Sequence, residues 1–364
     1  MDFTPTEEQA AARDLAARIF GDLATPERLT AAGTGSDPEL WKALCAAGLV
    51  GAVEELGLLG LVLLLEEQGR TTAQVPFAST CVYGLLAVAA HGSPEQRERL
   101  LPGIGDGSVV VCGAFPAQGG VRARGVRGEG EGAYAQGELS GTVPVVPWLR
   151  DATHVLVADD QRELWLTPVT DATRVEAVEL TAPWSAGRLT LDGAAAERLG
   201  SHPRSEDSPP TPSPYADVLA TARTAFAGLQ AGVCAGSLAR AVAHTNTREQ
   251  FGRPLATRQA VQLRAADAHM DIEAIRVTTY EAAWRRDVEL PYATHALTAA
   301  WWASEAGVRV VHTGQHLHGG AGADLDHPVH RHFLWGRQLD AYLGCGAEVL
   351  QELGELIVSE EVRP

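Results

Sequence analysis

The sequence predicts an α+β protein in three parts. These are an N-terminal α-helical domain over residues 1–108, a middle antiparallel β domain over 109–200 and a C-terminal four-helix bundle over 215–364, with a linker at 201–214 before the bundle. Three observations carry that expectation. Apolar residues recur at helical spacing up to about Gly107, the period drops to two from Val109 to about Leu199, and helical spacing returns from Tyr215 onward.

In the first part, Thr6-Glu7-Glu8 opens a helix with acids in its first turn, where the helix dipole favours them. DPELWKALCAAGL follows, with Asp37 as the cap and Leu40, Leu44 and Leu49 on one side. A strongly apolar helix surrounds Val62 and another precedes Gly92-Ser93-Pro94; PEQRERLLPGIGDGS closes the part as a short helix and a glycine-rich turn.

In the second part, VVVCGAF, GAYAQGELSG, THVLVAD, ELWLTPV, TRVEAVEL and GRLTLDG read as short strands separated by Gly, Asp and Pro. The linker SHPRSEDSPPTPSP is polar and proline-rich. In the third part Val261, Ala265, Ala268, Ile272, Ile275, Thr279 and Ala282 alternate four and three apart, a single buried stripe. Helices of similar length are expected at 215–247, 292–316 and 329–358, the last interrupted by DAYLGCGAE at Asp340 to Glu348.

Composition narrows the function. The net charge of −17 argues against nucleic acid and anionic membranes, which require basic faces. No run of eighteen apolar residues occurs, so no membrane span is expected. The opening MDFTPTEEQ lacks a basic segment followed by an apolar one, so a cytoplasmic location is expected. Five scattered cysteines (Cys45, Cys81, Cys112, Cys234, Cys345) suit reduced thiols.

Two clusters could carry chemistry. Arg248-Glu249-Gln250-Phe251-Gly252-Arg253-Pro254, followed by Gln259, offers a helix stop, a guanidinium, a ring and an amide. Such a set could hold a diphosphate and a planar base; the same spacing also suits an ordinary helix–helix turn. His316-Leu317-His318-Gly319-Gly320-Ala321-Gly322 lets the backbone approach a phosphate closely, and equally suits a plain glycine-rich connection.

The two clusters together, on a helical bundle that follows a β domain, resemble the acyl-CoA dehydrogenase family of flavoenzymes. Its pattern is Arg-x-x-Phe-Gly-x-Pro, a Gln five residues after the Pro, then Gln-x-x-Gly-Gly-x-Gly. MDFTPTEEQ, LWKALCAAGLVG and GSPEQRERLLPGIGDG resemble family segments too, so the likeness spans the chain. The resemblance implies FAD bound between two subunits, with Arg248, Phe251, Gln259, Gly319 and Gly320 reaching across to the ADP end of the partner's flavin. His316 stands where the family has Gln, and imidazole can still donate there.

The chain also departs from the family. Ala114-Phe115-Pro116-Ala117-Gln118-Gly119-Gly120 and Pro144-Val145-Val146 replace stretches whose polar groups meet the flavin ring. The resemblance places the family's catalytic glutamate at Leu343 or, in some branches, at Ala222 beside Arg223; neither residue takes a proton, and no carboxylate occurs from Val218 to Ala243. By resemblance, Arg223 contacts the neighbouring catalytic loop or a ligand, and a helix-surface ion pair is the alternative.

The expectation is therefore a base-lacking subunit of a heteromeric acyl-CoA dehydrogenase, a heterotetramer of two heterodimers. A homologous catalytic partner supplies most of the acyl-CoA site. The resemblance extends to the paired dehydrogenases of actinobacterial steroid side-chain degradation, which implies a steroid-CoA thioester as substrate and electron-transfer flavoprotein as acceptor. Two alternatives stand beside it. One is a self-sufficient enzyme using Asp340 or Glu348 as base. The other is a scaffold or metal-binding relative built on His312, His316, His318, His327, His330 and His332.

Overall fold

The structure is a computed structural model describing residues 2–117, 119–126, 136–200 and 212–361. Gln118, the first four residues of GAYAQGELSG (132–135) and linker positions 201–211 lie outside the described residues. The chain divides into two compact units, one of residues 1–31, 56–73 and 223–364, the other of 32–55 and 74–222.

Four helices come first: α1 (Glu7–Leu23), α2 (Pro26–Ala32), α3 (Pro38–Ala46) and α4 (Leu49–Thr71). Thr6 caps α1 through a reciprocal pair with Gln9, and the Asp37 carboxylate caps α3 by accepting from the N–H groups of Glu39 and Leu40. Next, α5 (Phe77–Ser79), a π-helical run over Thr80–Leu86 and α6 (Ala87–His91) continue as one apolar rod. The helix α7 (Pro94–Gly105) leads into the sheet, capped by Ser93 and Gln96.

The second unit is built on a seven-stranded sheet: β1 (Val111–Ala114), β2 (Val121–Val126), β3 (Gln136–Val146), β4 (His154–Ala158), β5 (Leu164–Pro168), β6 (Thr173–Ala177) and β7 (Gly187–Leu199). Its order is β1-β4-β5-β7-β3-β2, with β6 also on β7. The sheet is mixed rather than purely antiparallel, because β1 pairs parallel with β4. The chain leaves β1 for the β2–β3 pair at the far edge and returns beside β1 in the same direction.

Two features depart from the simple alternation. VRARGV forms the edge strand β2 although, of residues 121–125, Val121 alone is buried, since an edge strand tolerates a polar pattern. GRLTLDG runs on past Gly193, because that glycine (φ +64°) is skipped in the register: Leu139 faces Ala194 and Ser140 faces Asp192. The bulge breaks the period of two without ending the strand.

The first unit is helical. It contains α1, the later part of α4, most of α8 (Pro214–Thr247), α9 (Gln259–Asp287), α10 (Ala293–His318), α11 (Val329–Ala341) and α12 (Gly346–Glu361). A two-stranded ribbon of β8 (Glu249–Gln250) and β9 (Arg253–Pro254) links α8 to α9. The stripe on α9 is buried from Ala268 through Ile272, Ile275 and Thr279 to Ala282, whereas Val261 and Ala265 are half-exposed. The expected fourth bundle helix is two helices, α11 and α12, separated at Tyr342–Cys345 within DAYLGCGAE.

Helices α4 and α8 touch backbone to backbone: a Cβ at Gly232 would lie 2.1 Å from the Glu66 carbonyl oxygen. At Gly57 (φ 72°) α4 kinks, and the Asp287 carboxylate accepts from the N–H groups of Leu58 and Leu59 (2.7 and 2.9 Å) to restart it. Among the described residues α8 is long and apolar enough to cross a membrane, but 83% of its apolar window is already buried inside the protein.

Candidate functional site

The Arg248 and Gly319 motifs lie at the ends of α8 and α10. Beyond α8, the Arg248 N–H donates to the His244 carbonyl, and the chain turns through Phe251 (φ 54°) and Gly252 (φ 76°) at the tip of the β8–β9 ribbon. The turn throws the Phe251 ring out, 90% exposed, with the Arg258 guanidinium 5.0 Å over its face. Gln259, exposed, opens α9.

Helix α10 ends at His318, after which Gly319 (φ 62°, ψ −137°) starts a 3₁₀ turn to Ala323. Gly319 and Gly320 are exposed, with nothing within 4 Å of where a Cβ would stand, and His316 is exposed on the last turn of α10. His244 stacks on His318 at 4.7 Å, which draws the two helix ends together. Arg248 lies one turn beyond His244, and Gly319 directly follows His318.

Exposed guanidinium, open backbone, exposed ring and amide suit a diphosphate joined to a planar base. The residues at this end fit the ADP half of a flavin dinucleotide.

The break between α11 and α12 forms a second locality. Tyr342 leaves α11 extended and meets Phe226 edge-on at 4.8 Å. Leu343 then takes a left-handed conformation (φ 67°) that a non-glycine residue adopts only when its surroundings hold it, and its side chain is 3% exposed. A crevice of only about 20 Å³ is lined by Arg223, Phe226, Gln230, Ser304, Leu339 and Leu343, among others. Ala222, on α8, is fully buried. Both positions that the resemblance assigns to the base therefore hold buried apolar side chains.

The carboxylates near this break are occupied. Asp340 accepts from the Ser304 hydroxyl at 2.5 Å and lies 3.6 Å from Arg337, and Glu348 accepts from the Cys345 N–H at 3.1 Å. Glu352 pairs with Arg223 through both oxygens. Sequence reading missed Glu352, although an arginine amid the apolar residues of α8 signals that an acid must come from elsewhere.

The stretch that the resemblance places at the flavin ring lies in the second unit. Phe115 is sandwiched between Tyr83 (5.2 Å) and Tyr215 (5.5 Å), and the Arg162 guanidinium lies 5.5 Å from the centre of the Tyr215 ring. The Tyr215 hydroxyl accepts from the Ala117 N–H at 3.0 Å. The Phe115 ring is taken up by the two tyrosines and Val146 is fully buried, so neither side chain offers a flavin edge a donor or acceptor. This half does not fit an isoalloxazine ring.

Burial pushes Cys45 up to about 11 and raises Cys81, Cys112 and Cys234 further, so none of these four thiols is poised for chemistry. Among the described residues no three His, Cys, Asp or Glu side chains are placed to share a metal ion. Of the six histidines read as a possible metal cluster, His312 packs on Phe333, His318 and His327 meet ring to ring, and His332 is buried against the Arg70 carbonyl.

Comparison with known proteins gives a consistent picture. Residues 6–108 match the acyl-CoA dehydrogenase N-terminal domain and residues 216–353 the acyl-CoA dehydrogenase C-terminal domain. The acyl-CoA dehydrogenase FadE27 of Mycobacterium tuberculosis is 33% identical over 97% of this chain and 98% of its own length. A variant of the Tcur3481-Tcur3483 steroid ACAD superposes with a TM-score of 0.87 at 40% identity, covering 98% of this chain and 99% of that one. The ChsE4-ChsE5 complex from Mycobacterium tuberculosis contains a chain with a TM-score of 0.86 at 31% identity, with the same coverage. With both terminal domains matched and a full-length relative at this identity, the chain belongs to the acyl-CoA dehydrogenase family.

Proposed function

We propose that this chain is one subunit of a heteromeric, FAD-dependent acyl-CoA dehydrogenase, with no catalytic glutamate of its own. The observation that carries the reading is an asymmetry. The face that fits an ADP end is open and exposed at Arg248, Phe251, Gln259, His316, Gly319 and Gly320. Both base positions, Leu343 and Ala222, are buried and apolar, and the flavin-ring stretch is packed shut around Phe115.

Bound FAD supplies a hydride acceptor for the β-carbon of the acyl thioester, and a carboxylate must take the α-proton. This chain's part is to bind and orient. Arg248 neutralises diphosphate charge, the Gly319–Gly320 backbone allows close approach, and Phe251 and Gln259 flank the base. The homologous partner provides the glutamate, the flavin-ring contacts and most of the acyl-CoA site, in a heterotetramer of two heterodimers. The likeness to the steroid ACAD supports a steroid side-chain CoA thioester as substrate. Electron-transfer flavoprotein is the acceptor. A self-sufficient enzyme would need Asp340 or Glu348 as base, and both already hold hydrogen bonds.

The test is to express the chain alone and together with its homologous catalytic subunit, then record flavin absorbance and turnover of a steroid-CoA with an artificial acceptor. Only the pair should be yellow and active, and Arg248→Ala in this chain should make the pair lose FAD. Flavin and turnover in the lone chain would sink the reading.

A further inference from the structure

Three imidazoles meet behind the exposed face. His244 near the end of α8 and His318 at the end of α10 stack at 4.7 Å, with 25° between their planes. His327, in the loop before α11, meets His318 at 4.9 Å and 61°. His318 is 6% exposed, and the other two are half-buried. The first two belong to the segments that carry Arg248 and the Gly319–Gly320 turn.

Hydrogen bonds set the tautomers. His318 Nδ1 lies 2.7 Å from the Gly314 carbonyl, which can only accept, so this nitrogen carries the proton and donates. At His327 the polarity is reversed: Nδ1 accepts from the backbone N–H of Val329, the first residue of α11, at 3.2 Å. Only a ring with a lone pair on Nδ1 can do so. Protonating His327 removes that acceptor and sets a cation against the His318 ring.

The charged surroundings disfavour such a cation. Arg248 faces His244; Arg240 and His330 oppose a charge on His327, and Asp324 favours it less strongly than Arg240 opposes it. Burial, then the neighbouring imidazoles and these arginines, hold His244 and His327 below the usual imidazole range.

We infer that His244 and His327 are positioning residues for the nucleotide-facing end. As neutral rings they clamp His318, and through it hold the Gly319–Gly320 turn beside Arg248 in the shape a diphosphate meets. The inference rests on the functional reading above for what this face binds. As pH falls, protonation of His327 frees the Val329 N–H, protonation of either flanking ring sets a cation against His318, and the clamp opens.

The test compares the wild type with a double variant, His244→Phe/His327→Asn. Phe keeps the stack, and the Asn oxygen can accept from Val329, but neither titrates. In the lone chain, amide deuterium exchange over 316–323, corrected for intrinsic rates, is read at pH 7.5 and 5.5. Wild-type protection should fall several-fold at the lower pH, by less than the roughly hundredfold that one proton taken up over two pH units could produce. The double variant should keep its protection at both. Equal wild-type protection at the two pH values, or unchanged pH dependence in the variant, overturns the clamp. Should the double variant fail to fold, His244→Phe alone is read in the same way and should lose part of the dependence.

In the reconstituted pair, FAD release should be faster at pH 5.5 for the wild type and insensitive to pH in the variant. If release ignores both pH and the variant while Arg248→Ala still frees FAD, the positioning inference fails and the functional reading survives. If Arg248→Ala also has no effect, the reading of the face itself has failed.

Discussion

Arg223 grips Glu352 through both terminal nitrogens, at 2.8 and 2.7 Å, while its Nε donates to the Leu343 carbonyl at 3.3 Å. One guanidinium thus ties α8 to α12 and to the left-handed turn between α11 and α12. The arginine is 8% exposed and the glutamate 48%, so removing the acid strands a buried cation, whereas removing the arginine frees an acid that water can reach. Glu352→Ala should lower the unfolding free energy by about 1–2 kcal/mol, discounted for the screening that a half-exposed partner receives. Arg223→Met should cost less. Urea denaturation of the lone chain measures both, and the reverse order would show that the pair does not anchor the turn.

Leu343→Glu should not create a dehydrogenase. The side chain at this position is 3% exposed beside a crevice of about 20 Å³, and the nearest guanidinium already holds Glu352. A carboxylate forced there is desolvated without a partner, so lower stability is expected. The segment around Phe115, proposed above as the counterpart of the flavin-ring stretch, also remains packed between Tyr83 and Tyr215. Turnover of an acyl-CoA by the purified lone variant would show that a carboxylate at this one position is enough for activity.

Close approach of α4 and α8 gives a sharper stability prediction. At Gly232 a methyl group would lie 2.1 Å from the Glu66 carbonyl oxygen, a backbone atom that cannot swing aside. Gly232→Ala should cost about 3 kcal/mol, the upper end of overpacking penalties. Gly354, on α12, has nothing within 4 Å of its Cβ position. There Gly→Ala should stabilise by about 0.5–1 kcal/mol, because it removes only unfolded-chain entropy. Thermal unfolding of the two variants, run side by side, checks the sign of each.

These cases mark what local pattern can convey. The break at DAYLGCGAE was legible, because glycines at that density cannot continue a helix, and the Arg248 and Gly319 motifs were legible as spacing. The partner of Arg223 was not, because Glu352 lies on another helix far along the chain and only tertiary packing joins them. The same holds for Phe115, whose neighbours Tyr83 and Tyr215 come from separate helices, and for His318, whose stacking partner His244 lies outside the histidine-rich run. The edge strand β2 escaped notice because its exposed arginines erase the period of two that marks half-buried strands.

His332 gives the clearest dependence on pH. It is 1% exposed, its Nε2 donates to the Arg70 carbonyl at 3.0 Å, and burial pushes it down to about 4 from the ordinary 6.5. Below pH 6.5 the unfolded chain takes up a proton on this imidazole that the folded chain refuses until about pH 4, so stability must fall across that window as the solution is acidified. The contribution of this one group approaches about 1.4 kcal/mol per pH unit in the middle of the window and vanishes above it. His332→Gln retains a donor for the Arg70 carbonyl without a titrating group. Its unfolding free energy, measured in urea from pH 4.5 to 7.5, should therefore fall less steeply than the wild type's by up to one proton equivalent, with the two curves parallel above pH 7. Parallel curves throughout would mean that the buried imidazole finds another acid-stable arrangement.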